Sequence, residues 1–200
     1  MNYLVWGCYE GIGFHIVNAL LDEGHQVVGI DERTDKKETL AMFIGRNANF
    51  SYYNTVENYL DEEANNAFEE MYVIEREGDT PPWKPLEKIH ATSRVRILSF
   101  NQKNQGREGW ITVHLQRCYG PWLSTPFSSI TKQDVPVEDV ISPILQIATS
   151  AVENDVIMMG MNDDKQLDGY DRLISRSTSF DEAIKRVKEH QCQFPSYYEK

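Results

Sequence analysis

The residues Gly7-Cys-Tyr-Glu-Gly11-Ile-Gly13 carry the densest chemical signal in this sequence. They follow a short apolar run and precede a stretch with helical spacing, which is the setting of an anion-binding turn. One glycine permits the tight turn, one lets backbone approach a pyrophosphate, and one allows close helix–strand packing, while the helix N-terminus stabilises the anion. Asp31 stands where the next strand ends. A carboxylate there accepts the ribose hydroxyls of NAD and repels the extra phosphate of NADP. The candidate cofactor-binding residues are therefore Gly7, Gly11, Ile12, Gly13 and Asp31, with Asn54 just past the third strand. A glycine turn kept only for packing is the competing reading, and the strand–turn–helix–strand–Asp context favours the cofactor. Glu10 is the discordant residue: its charge opposes a nearby pyrophosphate unless the side chain points to solvent.

Other reactive residue types lack the spacing their chemistry needs. His15, His25, His90, His114 and His190 form no HExxH or comparable arrangement, so no metal site is expected. The acidic clusters Asp61-Glu-Glu63, Glu69-Glu70 and Asp163-Asp164 read as solvated faces and loops. Cys8 lies near a helix N-terminus, where a thiol can be acidified, but a small residue tolerated in a tight turn is the favoured account. With Cys118 and Cys192 it forms no CxxC pair, so the three read as reduced thiols of a cytoplasmic protein. Trp83, Trp110 and Trp122 suit either a stacking pocket or ordinary packing.

The elements that must position the turn alternate strand and helix. Tyr3, Leu4, Val5 and Trp6 form an apolar run that stops at Gly7, as a buried parallel strand does. Ile12, Ile16, Val17, Leu20 and Leu21 follow at helical spacing, and Gly24 supplies the stop. Strands are expected over 26–30 and 49–53, with a polar helix over 36–46 between them, giving βαβαβ and a doubly wound parallel sheet. A fourth strand is expected over 71–74 and a turn over 78–82. Leu86, Ile89, Ile97 and Phe100 permit a helix, although residues 94–98 suit a strand equally; the helix is favoured. Strands over 111–115 and 156–159, a helix over 137–152 that must accommodate Pro143, and a last helix capped by Ser179 complete the reading. The expected strand order is 3-2-1-4, followed by the 111–115 strand.

At 200 residues, 40% hydrophobic and 26% charged, the chain suffices for one domain with a real core. Its formal net charge of −11 argues against nucleic acid or an anionic membrane surface as partner. No apolar run approaches a bilayer span, and no signal peptide is expected at the N-terminus.

Gly7-x-x-x-Gly11-Ile-Gly13, the run from Leu20 to Asp31, and Ile111-Thr-Val-His-Leu-Gln-Arg-Cys-Tyr119-Gly-Pro-Trp122 together resemble the extended short-chain dehydrogenases/reductases, the NAD-dependent epimerase/dehydratase family. The resemblance implies a Rossmann-like α/β fold across residues 1–200, with residues 117–200 including a small C-terminal lobe on the substrate side. It also implies NAD as cofactor, a nucleotide sugar or other small molecule as ligand, and a homodimer formed by two-helix packing. That family's chemistry rests on a YxxxK pair, whose lysine lowers the tyrosine pKa for proton exchange during hydride transfer. No tyrosine here is followed four residues later by lysine. Trp83 and Glu87 stand where the pair is expected, and the stretch before Ile111 is short enough to imply loss of a helix–strand unit, including a serine- or threonine-bearing strand end. His114 and Arg117 also depart from the arginine and asparagine usual there. The expectation is a binding or scaffold protein without catalytic residues. The rival is an active epimerase, dehydratase or reductase using Tyr72, Tyr119 or His114.

Overall fold

Successive residues of the first strand go to opposite faces of one sheet, as a two-residue period requires. Tyr3 and Val5 join one buried cluster and Leu4 another. Tyr72 and Ile74 divide from Met71 and Val73 in the same way. The sheet is thus covered on both sides, which is why its central strands read as continuous apolar runs. This computed structural model describes residues 1–63, 66–76, 78, 80–99, 106–150, 155–161 and 171–198. Asp79, Phe100, Val152 and the Asp163-Asp164 pair, which figured in the sequence reading, lie outside them.

The N-terminal half runs β1 (Asn2–Trp6), α1 (Gly11–Asp22), β2 (Gln26–Ile30), α2 (Asp35–Ile44), β3 (Phe50–Tyr53), α3 (Val56–Glu63) and β4 (Ala67–Glu75). Next come α4 (Trp83–Leu86), β5 (His90–Ser99) and β6 (Ile111–Leu115). The C-terminal part contains β7 (Cys118–Tyr119), β8 (Val135–Pro136), α5 (Val137–Ser150), β9 (Val156–Met161), β10 (Arg172–Ile174), α6 (Phe180–Gln193) and α7 (Pro195–Tyr198). Eight strands form one sheet in the order β10-β9-β6-β5-β4-β1-β2-β3, with parallel pairing throughout. The fold is a Rossmann-like α/β fold. No helix among the described residues is long and apolar enough to cross a membrane.

Local chemistry explains the boundaries. Gly24, at φ +78°, ends α1, with its N–H bonded to the Leu21 carbonyl and that of His25 to the Leu20 carbonyl; this paired closure favours a left-handed glycine. Ser179 caps α6 by accepting from the Glu182 N–H at 3.2 Å. Pro143 sits inside α5, where it gives up one helical hydrogen bond. Around α6, Ala183 and Val187 pack with Tyr119, Phe127 and Phe180 in a third, smaller cluster.

Within the stretch 86–100, where a helix was favoured, His90–Ser99 instead form strand β5. Val95 and Ile97 enter the first cluster while Arg96 faces the other side, 6% exposed and paired with Glu75. That distant carboxylate lets an arginine sit in a sheet interior, against the local reading. The expected order 3-2-1-4-then-111–115 is corrected accordingly, because β5 lies between β4 and β6. A strand therefore stands where one was expected to be lost, and it ends on Ser99. Among the described residues, the helix between β4 and β5 is the four-residue α4, and residues 106–110 before β6 contain none.

Candidate functional site

The first βα turn is tied down from both ends. The Gly7 N–H donates to the Ile30 carbonyl at 2.8 Å, and the Glu10 N–H donates to the Gly7 carbonyl at 3.0 Å. Gly7 has φ +80°, a conformation that favours glycine. A Cβ at Gly13 would lie 2.1 Å from the Gly7 carbonyl oxygen, so this position allows helix and turn to touch. Ile12 packs against the core beside it.

Asp31 follows β2 and is 8% exposed. Its carboxylate accepts from the Tyr9 N–H at 2.9 Å and from Lys37 Nζ at 2.6 Å. Lys37 Nζ also lies 2.6 Å from Glu10 Oε1, and Arg76 Nη1 lies 3.0 Å from the same oxygen. Glu10 therefore does not point to open solvent; it closes a chain of alternating charge at the N-terminus of α1. Burial, the largest influence, raises the Asp31 carboxyl above its ordinary value, against the lowering effect of Lys37 and the Tyr9 N–H. Burial alone lowers Lys37, but its bonds to Asp31 and Glu10 outweigh this and hold the ammonium above its ordinary value.

A cleft of about 330 Å³ opens beside these groups, lined by Gly7, Asp31, Lys37, Asn54, Val56 and Arg76 among others. The Asn54 side-chain oxygen Oδ1 accepts from the Arg33 N–H at 3.2 Å and from Tyr52 Oη at 3.1 Å, which fixes its orientation. Three of the candidate residues, Gly7, Asp31 and Asn54, thus share one cleft. Gly11, Ile12 and Gly13 do not line it. Gly11 instead faces Leu123 and the Trp122 carbonyl, at 2.9 and 3.0 Å from the position of a Cβ. Protein therefore fills the space above Gly11, while Asp31 and Asn54 face the cleft. Lys37 and Arg76 escaped the sequence reading, since a lysine in a polar helix and an arginine after a strand look solvent-facing.

The remaining sequence expectations resolve as follows. Cys8 is fully buried, and burial with Asp31 pushes its thiol well up, which opposes acidification. Cys8, Cys118 and Cys192 are all free thiols. No group able to hold a metal ion occurs among the described residues. Trp83 and Glu87 lie between β4 and β5, before the Ser99 strand end, so they do not occupy a tyrosine–lysine helix leading into β6. Trp83 packs edge-on against Trp110, with ring centroids 5.2 Å apart, and under the Arg96 and Arg107 guanidiniums.

The three rival proton-transfer residues are buried and line none of the cleft. Tyr72 donates to Glu70, and burial together with that carboxylate raises its pKa strongly. Burial likewise raises Tyr119, against the lowering effect of the Arg176 guanidinium 2.8 Å away. His114 is 4% exposed on β6.

No family model matches the chain. A short stretch is 57% identical over 35 residues to an uncharacterized 37.6 kDa protein of the cld 5′ region of Escherichia coli O111:H-; the chain spans a tenth of that relative's length. Among solved structures, a nucleoside-diphosphate-sugar epimerase from Pseudomonas aeruginosa superposes with TM-score 0.67 at 9% identity, covering 100% of this chain and 99% of that one. The dTDP-glucose 4,6-dehydratase of Bacillus anthracis, solved with NAD, gives 0.66 at 11% identity, covering 99% and 98%. UDP-glucose 4-epimerase of Thermotoga maritima, solved with UDP-glucose, gives 0.62 at 15%, covering 98% and 100%. At these identities the likeness is one of fold, and the chain has the Rossmann-like α/β fold of nucleotide-sugar epimerases and dehydratases.

Proposed function

We propose that this chain is a nucleotide-binding Rossmann protein that recognises the adenosine half of NAD and acts as a binding or scaffold protein, without turning over a nucleotide sugar. The observation that carries the reading is the convergence of Gly7, Asp31 and Asn54 on one cleft at the ends of β1, β2 and β3. Such a position, outside the carboxyl ends of parallel strands, is where open α/β sheets bind ligands. Asp31 disfavours a 2′-phosphate, and Lys37 is already shared between two carboxylates. The solved structures of similar fold, crystallised with NAD or with a nucleotide sugar, support the same ligand class.

The case against catalysis is chemical. The chain holds no YxxxK pair, and Tyr72, Tyr119 and His114 are buried away from the cleft. Loss of a positioned acid/base removes ~10²–10⁴-fold of rate. The test pairs calorimetry of NAD and NADP with an NADH-absorbance and product screen on UDP- and dTDP-sugars. NAD is expected to bind more tightly than NADP, with no turnover above background. Tighter NADP binding, or no binding by NAD, NADP or adenosine, defeats the nucleotide reading. Turnover abolished by changing Tyr72, Tyr119 or His114 defeats the non-catalytic one.

A further inference from the structure

The second glycine of a dinucleotide-binding turn is small so that backbone can approach a pyrophosphate. At Gly11 that space is filled from within the chain. A Cβ there would meet Leu123 Cγ at 2.9 Å, the Trp122 carbonyl oxygen at 3.0 Å and Leu123 Cδ1 at 3.1 Å. The cleft beside Asp31 stops short of this point, since neither Gly11 nor Trp122 nor Leu123 lines it. Its volume of about 330 Å³ sits at the bottom of the ~300–1,000 Å³ common for small-molecule sites.

The covering segment is held in place. Trp122 has φ 63°, a left-handed conformation that a residue with a side chain adopts only when its surroundings impose it. Those surroundings are the C-terminal helices. The Trp122 N–H donates to Tyr198 Oη at 2.9 Å, and Tyr197 Oη donates to the Trp122 carbonyl at 2.7 Å. Tyr198 Oη is in turn 2.7 Å from His190 Nδ1. The Trp122 indole packs against Phe14, His190, Phe194 and Tyr197, at centroid distances of 5.8, 4.2, 4.7 and 5.2 Å. The carbonyl that presses on Gly11 is thus the one fixed by Tyr197.

We propose that the cleft selects an adenine nucleoside carrying at most one 5′-phosphate, and that a dinucleotide is accommodated only when the Trp122–Leu123 segment lifts off Gly11 against the hold of Tyr197 and Tyr198. The inference rests on the nucleotide-binding reading and adds a ligand class and a gate to it. A ligand ending at the first phosphate stays within the cleft, which Leu123 does not line. A ligand continuing across Gly11 collides with Leu123.

The test is calorimetric titration of the full chain with adenosine, AMP, ADP-ribose and NAD, alone and with Leu123→Ala and Tyr197→Phe/Tyr198→Phe. Leu123 is only partly buried, and the alanine removes two of the atoms that crowd Gly11. In the unaltered protein, adenosine and AMP are expected to bind at least tenfold more tightly than NAD or ADP-ribose. Leu123→Ala is expected to raise NAD and ADP-ribose affinity about tenfold with adenosine unchanged, and the tyrosine pair to act in the same direction. NAD binding more tightly than AMP in the unaltered protein, or an unchanged NAD-to-adenosine ratio in both variants, overturns the gate and leaves the nucleotide-binding reading standing. Absence of binding by all four ligands overturns both.

Discussion

Replacing Lys37 with methionine keeps the length of the side chain and removes the one ammonium shared by Asp31 and Glu10. Lys37 Nζ lies 2.6 Å from each carboxylate, and the Lys37, Asp31 and Glu10 side chains are 12%, 8% and 16% exposed. Breaking a buried ion pair by removing one partner costs about 3–5 kcal/mol. Two contacts soften the loss, because Glu10 keeps Arg76 at 3.0 Å and Asp31 keeps the Tyr9 N–H at 2.9 Å. The expected destabilisation at pH 7.5 is therefore about 2–4 kcal/mol, or roughly 5–15 °C in Tm for a chain of this size. The pH dependence sharpens the test. Asp31 is already raised above its ordinary 3.8 by burial, and loss of Lys37 removes influences that lower it. A carboxyl raised in the folded state binds its proton more tightly when folded, so stability falls as pH rises between 3.8 and the raised value. The variant should thus recover part of its deficit when the pH is lowered to ~5. Lys37 carries the opposite linkage: its contribution is present below 10.5 and lost as pH rises through the higher folded value, so the deficit also narrows in strong alkali. Urea unfolding followed by tryptophan fluorescence at several pH values measures all three regimes. A deficit below ~0.5 kcal/mol at pH 7.5, or one that does not change toward acid, refutes the shared-cation account.

Three further substitutions separate backbone crowding from backbone strain and probe the Arg117–Asp134 pair. Gly13→Ala drives a methyl to 2.1 Å from the Gly7 carbonyl oxygen, whereas Gly24→Ala meets nothing within 4 Å and carries only the strain of φ +78°. The first should cost at least ~3 kcal/mol, the upper range of overpacking, and the second about 1–2 kcal/mol; equal losses in thermal melts would contradict the close-packed turn. Asp134→Asn weakens the bonds to Arg117 Nε at 2.8 Å, Arg117 Nη2 at 2.6 Å and the Thr131 N–H at 2.7 Å. Burial raises Asp134, but Arg117 and Thr131 outweigh it and hold the carboxyl below 3.8, so its stabilisation exists above 3.8 and disappears as pH falls through the lower folded value. A loss of about 1–3 kcal/mol at pH 7 that closes only in that acid range is expected by urea titration, and a pH-independent loss counts against it.

What the sequence made legible follows from where each element's constraints lie. β1, β2 and β6 are buried between two layers, so their own residues announce them as apolar runs. Asp31 and the glycines were legible for the same reason, since the turn joins elements adjacent in sequence. β5 was ambiguous, because the spacing of Leu86, Ile89, Ile97 and Phe100 permits a helix where residues 94–98 suit a strand equally, and the groups that hold Arg96 in the sheet, Glu75 and Trp83, come from other elements. β7, β8 and β10 are too short to show a period. Lys37 and Arg76 join the cleft only because folding brings α2 and the end of β4 to Glu10. The pressure of Leu123 on Gly11 spans more than half the chain and has no local signature.

The same contrast bears on how the two halves of the sheet are covered. The strands that carry the cleft, β1 to β3, are joined by full helices, and those crossovers place Gly7, Asp31 and Asn54 together. The strands beyond β4 keep their parallel register, yet α4 has four residues and residues 106–110 contain no helix. A phenol and an ammonium spaced four residues apart meet only on a helical surface, which α4 is too short to provide. On that side of the sheet the cover comes from side chains instead: Trp110 is buried beside Leu86 and Ile89, and Trp83 stacks on it beneath Arg96 and Arg107. Indole and guanidinium cover apolar surface with few residues, but neither exchanges a proton near neutral pH. Among the described residues, the four-residue α4 therefore stands where a full crossover helix would, while the β1–β3 side keeps the helices that bring Gly7, Asp31 and Asn54 to one cleft.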